Sequence, residues 1–330
     1  MSAIAESKGG FQAGRYAAID IGTVTCRMLV ADVDEAGRLH ELDREYAITN
    51  LGEGVDATGV LKPEAMQRVA DAVARYTDVL RGFVTPEYPR VETKAMATSA
   101  ARDARNADEF EELLANSGIV LSVIPGEREA ALSFAGASCD FVGERLLVVD
   151  IGGGSTEVIA GRAGGQPDCA RSFNIGCRRV TEKCFAADPP SADELERART
   201  WVEEGMRPYF DQLRKAGFAP ERLVAVAGTA TTVVSIRECM EVYDTSRVHK
   251  AVITRLVLDE VADRLERVPL AQRERIVGLD PGRAPVIVAG MVILQTVLDL
   301  AGVDSFTVSE SDILHGIILD EAARSGSATR

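Results

Sequence analysis

Two stretches carry residues suited to chemistry, AIDIGTVTCRMLVA at 18–31 and VVDIGGGSTEVIAG at 148–161. Each is an apolar run ending in Asp-Ile-Gly, then a turn of small residues, then a second apolar run. Gly22, Thr23 and Thr25 in the first, and Gly152, Gly153, Gly154, Ser155 and Thr156 in the second, let backbone N–H groups approach a ligand, and the hydroxyls add donors. Successive exposed N–H groups form a nest that suits phosphate. Asp20 and Asp150 stand beside these turns. They cannot usefully bind phosphate, but they can hold Mg²⁺ or a water. At equivalent places in the second runs lie Arg27 and Glu157, so the two copies have diverged. Arg27 can bridge phosphate oxygens with its planar fork. Glu157 can work with Asp150 on a metal and a water.

Competing motifs fail on spacing. No G-x-x-x-x-G-K-[ST] occurs, so there is no P-loop. Gly152 and Gly154 begin a G-x-G, but position 157 is Glu, and the glycines join strand to strand rather than strand to helix. His40, His249 and His315 are scattered, without ligand spacing, and no Ser/His/Asp constellation assembles. The cysteines at 26, 139, 169, 177, 184 and 239 form no C-x-x-C pair. They are expected to be reduced, mostly buried thiols of a cytoplasmic protein. Cys26, inside the first turn, is either redox-sensitive or a small buried thiol.

The elements that position these residues follow from pattern. Residues 16–34 form two strands around the first turn, and 38–50 form a third. The spacing of Met66, Val69, Val73, Tyr76 and Leu80 predicts a helix over 63–82, with Pro63 in its first position. VETKAMA is a strand. A second helix starts with Asn106 as N-cap and turns Phe110, Leu113 and Leu114 inward. GIVLSVI is a strand ended by Pro125-Gly126, and 127–139 is helical. The second turn lies between strands LLVVD and TEVIAG. Helices follow near 177–186 and 191–215, the longer one with Ser191 and Glu194 as a capping box. LVAVAG at 223–228 is a buried strand leading into a helix from about 229. The rest is helical, with one more apolar strand at 305–309. Alternating strands and helices indicate an α/β architecture.

Composition narrows the classes. The chain of 330 residues is long enough for about two domains. Apolar residues make up 46% and charged residues 27%, which excludes wholesale disorder. With 51 acidic and 37 basic residues the net charge is −14, unfavourable for loose binding to nucleic acid or an anionic membrane. It does not exclude a polyanion held by aimed N–H groups, a metal and a few arginines. Segments 94–105 and 171–183 are locally basic, and the excess acid falls on helices such as 106–117 and 191–204. The amino-terminal MSAIAESKGGFQAG lacks the pattern of a secretory signal and looks like a tail. The apolar stretch 286–301 contains Gln295 and Asp299 and reads as a buried helix, too short for a membrane span.

From about 16 to 320 the chain resembles the exopolyphosphatase and guanosine pentaphosphate phosphohydrolase family of the actin, sugar-kinase and heat-shock-chaperone ATPase superfold. The two turns resemble the phosphate 1 and phosphate 2 motifs of that superfold. ATSAARDARN at 97–106, GEREA at 126–130, IGCRRVTE at 175–182, AGTATT at 227–232, RAPVIVAG at 283–290 and SESDILHG at 309–316 complete the likeness. It implies two ribonuclease-H-like lobes with an interlobe phosphate-binding cleft. Lobe I would be 1–126 with the helix of 311–330 packed back on it, and lobe II would be 127–310, closing about hinges near 126–145 and 305–312. Glu129 matches the family's catalytic Glu, with Asp150 and Glu157 beside it. By pattern alone Glu129 could be no more than a favourable charge at a helix start. Thr98, Ser99, Arg27, Arg102 and Arg179 would face the phosphate chain, and Asp20, Asp150 and Glu157 would hold Mg²⁺ or Mn²⁺. Gly228 and Thr229 either bound a nucleotide or phosphate pocket or form a tight turn with Thr229 capping the next helix. Pro285 replaces an acidic residue of the family's pattern; it alters local contacts or merely starts a helix.

The resemblance implies an exopolyphosphatase releasing terminal orthophosphate from inorganic polyphosphate by direct attack of water. Without the family's C-terminal helical extension, short chains are the expected substrates. A guanosine pentaphosphate 5′-phosphohydrolase of the stringent response would use the same machinery. A rival of another class is a non-catalytic polyphosphate or nucleotide sensor, against which Asp20, Glu129, Asp150 and Glu157 speak together. Family members often form homodimers.

Overall fold

The computed structural model describes residues 10–328. The amino-terminal tail expected above falls largely outside them. The chain forms two compact units, 1–136 with 312–330, and 137–311. The boundary expected at 126 thus falls at Gly136, because the GEREA helix, Gly126–Ser138, packs for most of its length within the first unit.

The first unit is built on a five-stranded sheet of order β3-β2-β1-β4-β5. Its strands are β1 (Gly14–Ile21), β2 (Thr25–Val33), β3 (Leu39–Ile48), β4 (Glu92–Ala97) and β5 (Leu121–Val123). β1 pairs antiparallel with β2 and parallel with β4. It is apolar on both faces because both are covered. Ile19, Ile21, Met28 and Val30 pack with Val69, Val73 and Tyr76 of helix Pro63–Arg81 and with Phe110 and Leu114. Ala18, Leu29 and Ala31 pack with Leu132, Leu314, Ile317 and Ile318. Asn106 precedes helix Ala107–Ala115, but its side chain caps nothing. Its amide instead brackets Leu61, accepting from the N–H at 2.8 Å and donating to the C=O at 3.1 Å.

Helix Gly126–Ser138 meets the carboxyl-terminal helix Ile313–Ala328 at two glycines. A Cβ on Gly316 would lie 2.6 Å from the Leu132 carbonyl carbon, and one on Gly136 2.7 Å from that of Asp312. Backbone cannot yield as a side-chain tip can. Gly316→Ala is therefore expected to cost about 1–3 kcal/mol by overpacking, read as a lowered midpoint in urea unfolding. An unchanged midpoint would contradict this tight crossing.

The second unit repeats the plan. Its strands are β6 (Arg145–Ile151), β7 (Thr156–Arg162), β8 (Pro167–Phe173), β9 (Arg222–Val226), β10 (Val252–Thr254) and β11 (Ser305–Val308). The sheet order is β10-β11-β9-β6-β7-β8. Read from β8, the order matches β3-β2-β1-β4-β5, with β10 added at one edge. That short edge strand is absent from the sequence reading, which places a single strand beyond residue 229. Helix Ala192–Lys215 carries the expected Ser191–Glu194 capping box. Helix Ile287–Ala301 is buried along nearly its whole length. Its N-cap is Val286, so exposed Pro285 stands outside the helix rather than starting it. Among the described residues no helix is long and apolar enough to cross a membrane.

Only Cys26 and Cys177 of the six thiols are buried, and Cys139 and Cys239 are exposed, so the mostly buried set expected above is corrected. Cys26 lies on β2 rather than in the turn. Burial pushes its thiol far up from the ordinary range, which disfavours the thiolate that oxidation needs.

Candidate active site

The two turns share one backbone design. Gly22 N–H donates to Thr25 C=O at 2.9 Å, and Gly152 N–H to Ser155 C=O at 3.0 Å. In both, the segment after the third strand of the meander holds the turn's carbonyls. In the first unit Gly52 N–H donates to Thr23 C=O, and Thr49 and Asn50 N–H to Val24 C=O, all at 2.9 Å. In the second, helix Cys177–Cys184 does this with its first amides. Cys177 N–H donates to Gly152 C=O at 3.0 Å and Arg178 N–H to Gly153 C=O at 2.8 Å, and Arg179 Nε to Gly154 C=O at 3.0 Å. In a trans peptide the N–H points opposite to the C=O. Fixing these carbonyls therefore aims the N–H groups of Gly153, Gly154 and Ser155 away from the helix, as an anion nest requires. Gly176 makes the arrangement fit, since a Cβ there would lie 2.5 Å from the Gly154 carbonyl carbon.

Hydroxyls of the turns have divided uses. Thr23 is buried, with its methyl over Gly52. Thr156 Oγ1 donates to Ile175 C=O at 2.5 Å. Thr25 serves through its carbonyl. Ser155 is buried.

The divergence at the paired positions is plain in the register. Asp20 lies directly across from Arg27, and Asp150 directly across from Glu157. Arg27 donates to Asp20 Oδ2 from Nε at 3.2 Å and from Nη2 at 2.6 Å, and Nη1 pairs with Asp312. Burial pushes the Asp20 carboxyl up against the pull of Arg27. Asp150 and Glu157 are both buried. Ser172 donates to Glu157 Oε1 at 2.6 Å. Two buried carboxylates in direct cross-strand register repel each other unless a cation or proton joins them. Their hard oxygens fit a divalent metal that keeps several waters or phosphate oxygens. Among the described residues no group of three or more His, Cys, Asp or Glu is gathered for a metal.

The remaining candidates stand at the carboxyl ends of parallel strands, where α/β sheets bind ligands. Thr98 and Ser99 follow β4, and Thr98 N–H donates to Ile21 C=O at 3.2 Å beside Asp20. Ser99 Oγ is buried with no hydrogen-bond partner among the described residues. Arg102 Nη1 donates to Ile124 C=O and to Glu129 Oε2, both at 3.0 Å. Glu129, in the first turn of its helix, is 7% exposed. The structure thus joins Arg102 to Glu129, and Arg27 to Asp20, within the first unit. Arg179, Asp150, Glu157 and the glycine turn belong to the second.

After β9 the chain enters helix Ala227–Arg237 through Val226, with Ala227 at φ +65. Thr229 does not cap it; the hydroxyl and methyl lie against Gly290 instead. Gly228 is filled from outside. A Cβ there would collide with the Arg283 guanidinium, 2.8 Å from Nη2 even at the far nitrogen. Sequence reasoning missed Arg283 and Asp312 as partners of the candidate residues Gly228 and Arg27. Both stand in motifs that carry the family likeness, RAPVIVAG and SESDILHG, and that was the available signal.

A model of the Ppx/GppA phosphatase family matches residues 29–325. Exopolyphosphatase 2 of Mycobacterium tuberculosis is 39% identical over 324 residues, spanning 93% of this chain and 98% of that protein. A crystal structure of an exopolyphosphatase-like protein is 34% identical with a TM-score of 0.85, over 95% of this chain and 99% of that one. The crystal structure of the Aquifex aeolicus Ppx/GppA family member is 29% identical with a TM-score of 0.76, again over 95% and 99%.

Proposed function

This chain belongs to the Ppx/GppA phosphatase family, and we propose that it is an exopolyphosphatase, releasing terminal orthophosphate from inorganic polyphosphate by attack of water. The observation that best supports this is the doubled turn with diverged partners, an Asp20–Arg27 acid–base pair in one unit and an Asp150–Glu157 pair of two acids in the other. The guanidinium of the first suits phosphate oxygens, and the paired carboxylates of the second suit a divalent cation. The name of the Mycobacterium tuberculosis relative points the same way.

On this reading Glu129 orients the attacking water and takes its proton, a contribution of about 10²–10⁴-fold. Arg102 fixes the orientation of that carboxylate. Its five N–H donors let it hold Glu129 and a phosphate oxygen together. The N–H groups of Gly153, Gly154 and Ser155, with Arg179 and Arg27, stabilise charge on the departing phosphate. Asp150 and Glu157 would hold Mg²⁺ or Mn²⁺, which when bound neutralises phosphate oxygens. Asp20, whose carboxylate already carries Arg27, anchors that arginine rather than the metal.

The test is phosphate release with Mg²⁺ from short polyphosphate, long polyphosphate, guanosine pentaphosphate and ATP. Release from polyphosphate is expected, lost on chelation and lowered by Arg102→Ala and Arg179→Ala. Release from guanosine pentaphosphate alone, or from none of the four, would overturn the reading, the latter in favour of a sensor. Polyphosphate turnover that ignores both the chelator and the two arginine variants would overturn the assigned roles.

A further inference from the structure

SESDILHG at 309–316 supplies none of the expected site residues, yet its Asp312 and His315 are buried. Asp312 Oδ2 receives Nη1 of Arg27, and Oδ1 accepts from Leu314 N–H at 3.0 Å. The Asp312 N–H donates to His315 Nδ1 at 3.3 Å. Because Nδ1 accepts, the ring hydrogen lies on Nε2, which meets Glu41 Oε1 on β3 at 2.9 Å. Glu41 is paired in turn with Arg44 at 3.0 Å. Burial would raise the Asp312 carboxyl, but the charges of Arg27 and Arg44, with the Leu314 N–H, bring it below the ordinary range. It therefore faces Arg27 as an anion.

We propose that Asp312 is a positioning residue for Arg27, held in place by His315 and Glu41, and that it sets the plane in which Arg27 meets substrate phosphate. This rests on the exopolyphosphatase reading. Nε and Nη2 of the fork both donate to one oxygen of Asp20, which fixes one edge of the guanidinium. A second carboxylate on Nη1, from the residue that precedes helix Ile313–Ala328, holds the opposite edge, and the two together define the plane. Planar bidentate recognition of phosphate depends on such orientation.

The test is a double-mutant cycle on tripolyphosphate hydrolysis, with Asp312→Asn, Arg27→Ala and the double variant. Titration calorimetry of tripolyphosphate binding runs in parallel. Asp312→Asn is expected to lower kcat/KM and to weaken binding, each by about tenfold, within the range of measured side-chain couplings. The double variant is expected to be no worse than Arg27→Ala, since Asp312 acts only through Arg27. His315→Phe, which removes the acceptor without touching Arg27, gives the same sign and also falls silent when Arg27 is absent. It serves if the Asn variant does not fold. Effects that multiply in the double variant, or an Asp312→Asn protein within twofold of wild type in turnover and binding, would overturn the proposal while leaving the exopolyphosphatase reading intact. A wild type that neither hydrolyses nor binds tripolyphosphate would overturn both.

Discussion

Glu129→Gln and Glu129→Ala are each expected to lower phosphate release from polyphosphate by about 10²–10⁴-fold with the fold retained. The two variants separate chemistry from packing. Glutamine keeps an oxygen acceptor for Arg102, which Glu129 now engages at 3.0 Å, but it cannot take a proton. Alanine removes the contact as well, although Arg102 keeps the Ile124 carbonyl. If Glu129 were only a favourable charge near a helix start, its loss would cost a few tenths of a kcal/mol to about 1 kcal/mol of stability, with little change in turnover. Steady-state phosphate release beside a thermal unfolding curve decides the matter. Either variant retaining more than about a tenth of wild-type turnover would remove Glu129 from the mechanism.

Gly176→Ala is expected to be nearly as damaging, although this residue has no functional group. Its Cα lies over the Gly153–Gly154 peptides, and a methyl would come within 2.5 Å of the Gly154 carbonyl carbon. Either the glycine turn or helix Cys177–Cys184 must then shift. A shift breaks the hold of Cys177, Arg178 and Arg179 on the turn's carbonyls, and with it the aim of the N–H groups on the other side. Losing one aimed donor of this kind typically costs about 10²–10³ in rate. Turnover falls far more than stability on this account. Turnover within threefold of wild type would mean that the helix does not set the turn.

Local pattern explains which parts of this site were legible. Each hairpin is contiguous in sequence, so the small residues, the strand-ending aspartates and the diverged Arg27 and Glu157 pair up from the order of residues alone. The capping box at Ser191 and Glu194 is legible for the same reason. Contacts that cross the chain carry no such periodicity. Arg27 and Asp312 are 285 positions apart, and nothing near Asp312 marks it as the partner of an arginine. Arg283 over Gly228 is hidden likewise, because a glycine occupied by a distant side chain looks like any other glycine. Asn106 satisfied every local rule for a cap, yet tertiary structure used its amide on Leu61 instead. β10 has three residues, too few for alternation to show. Cys26 looked like part of a turn because the strand begins at Thr25, and boundaries of this kind are the least determined by pattern.

The acidic balance of the chain is also compatible with this site. Asp108, Glu109, Glu111 and Glu112 lie on the outer side of helix Ala107–Ala115, as do Asp193 and Glu196 on Ala192–Lys215. Arg102 and Arg179 are turned instead toward Glu129 and the glycine turn.

The central claim is that water attacks the terminal phosphorus of an inorganic phosphate chain. Hydrolysis of tripolyphosphate with Mg²⁺ in water enriched in oxygen-18 tests it most directly. The account predicts that the label appears in the released orthophosphate and not in the pyrophosphate left behind. Label in the pyrophosphate, or no hydrolysis at all, would contradict it.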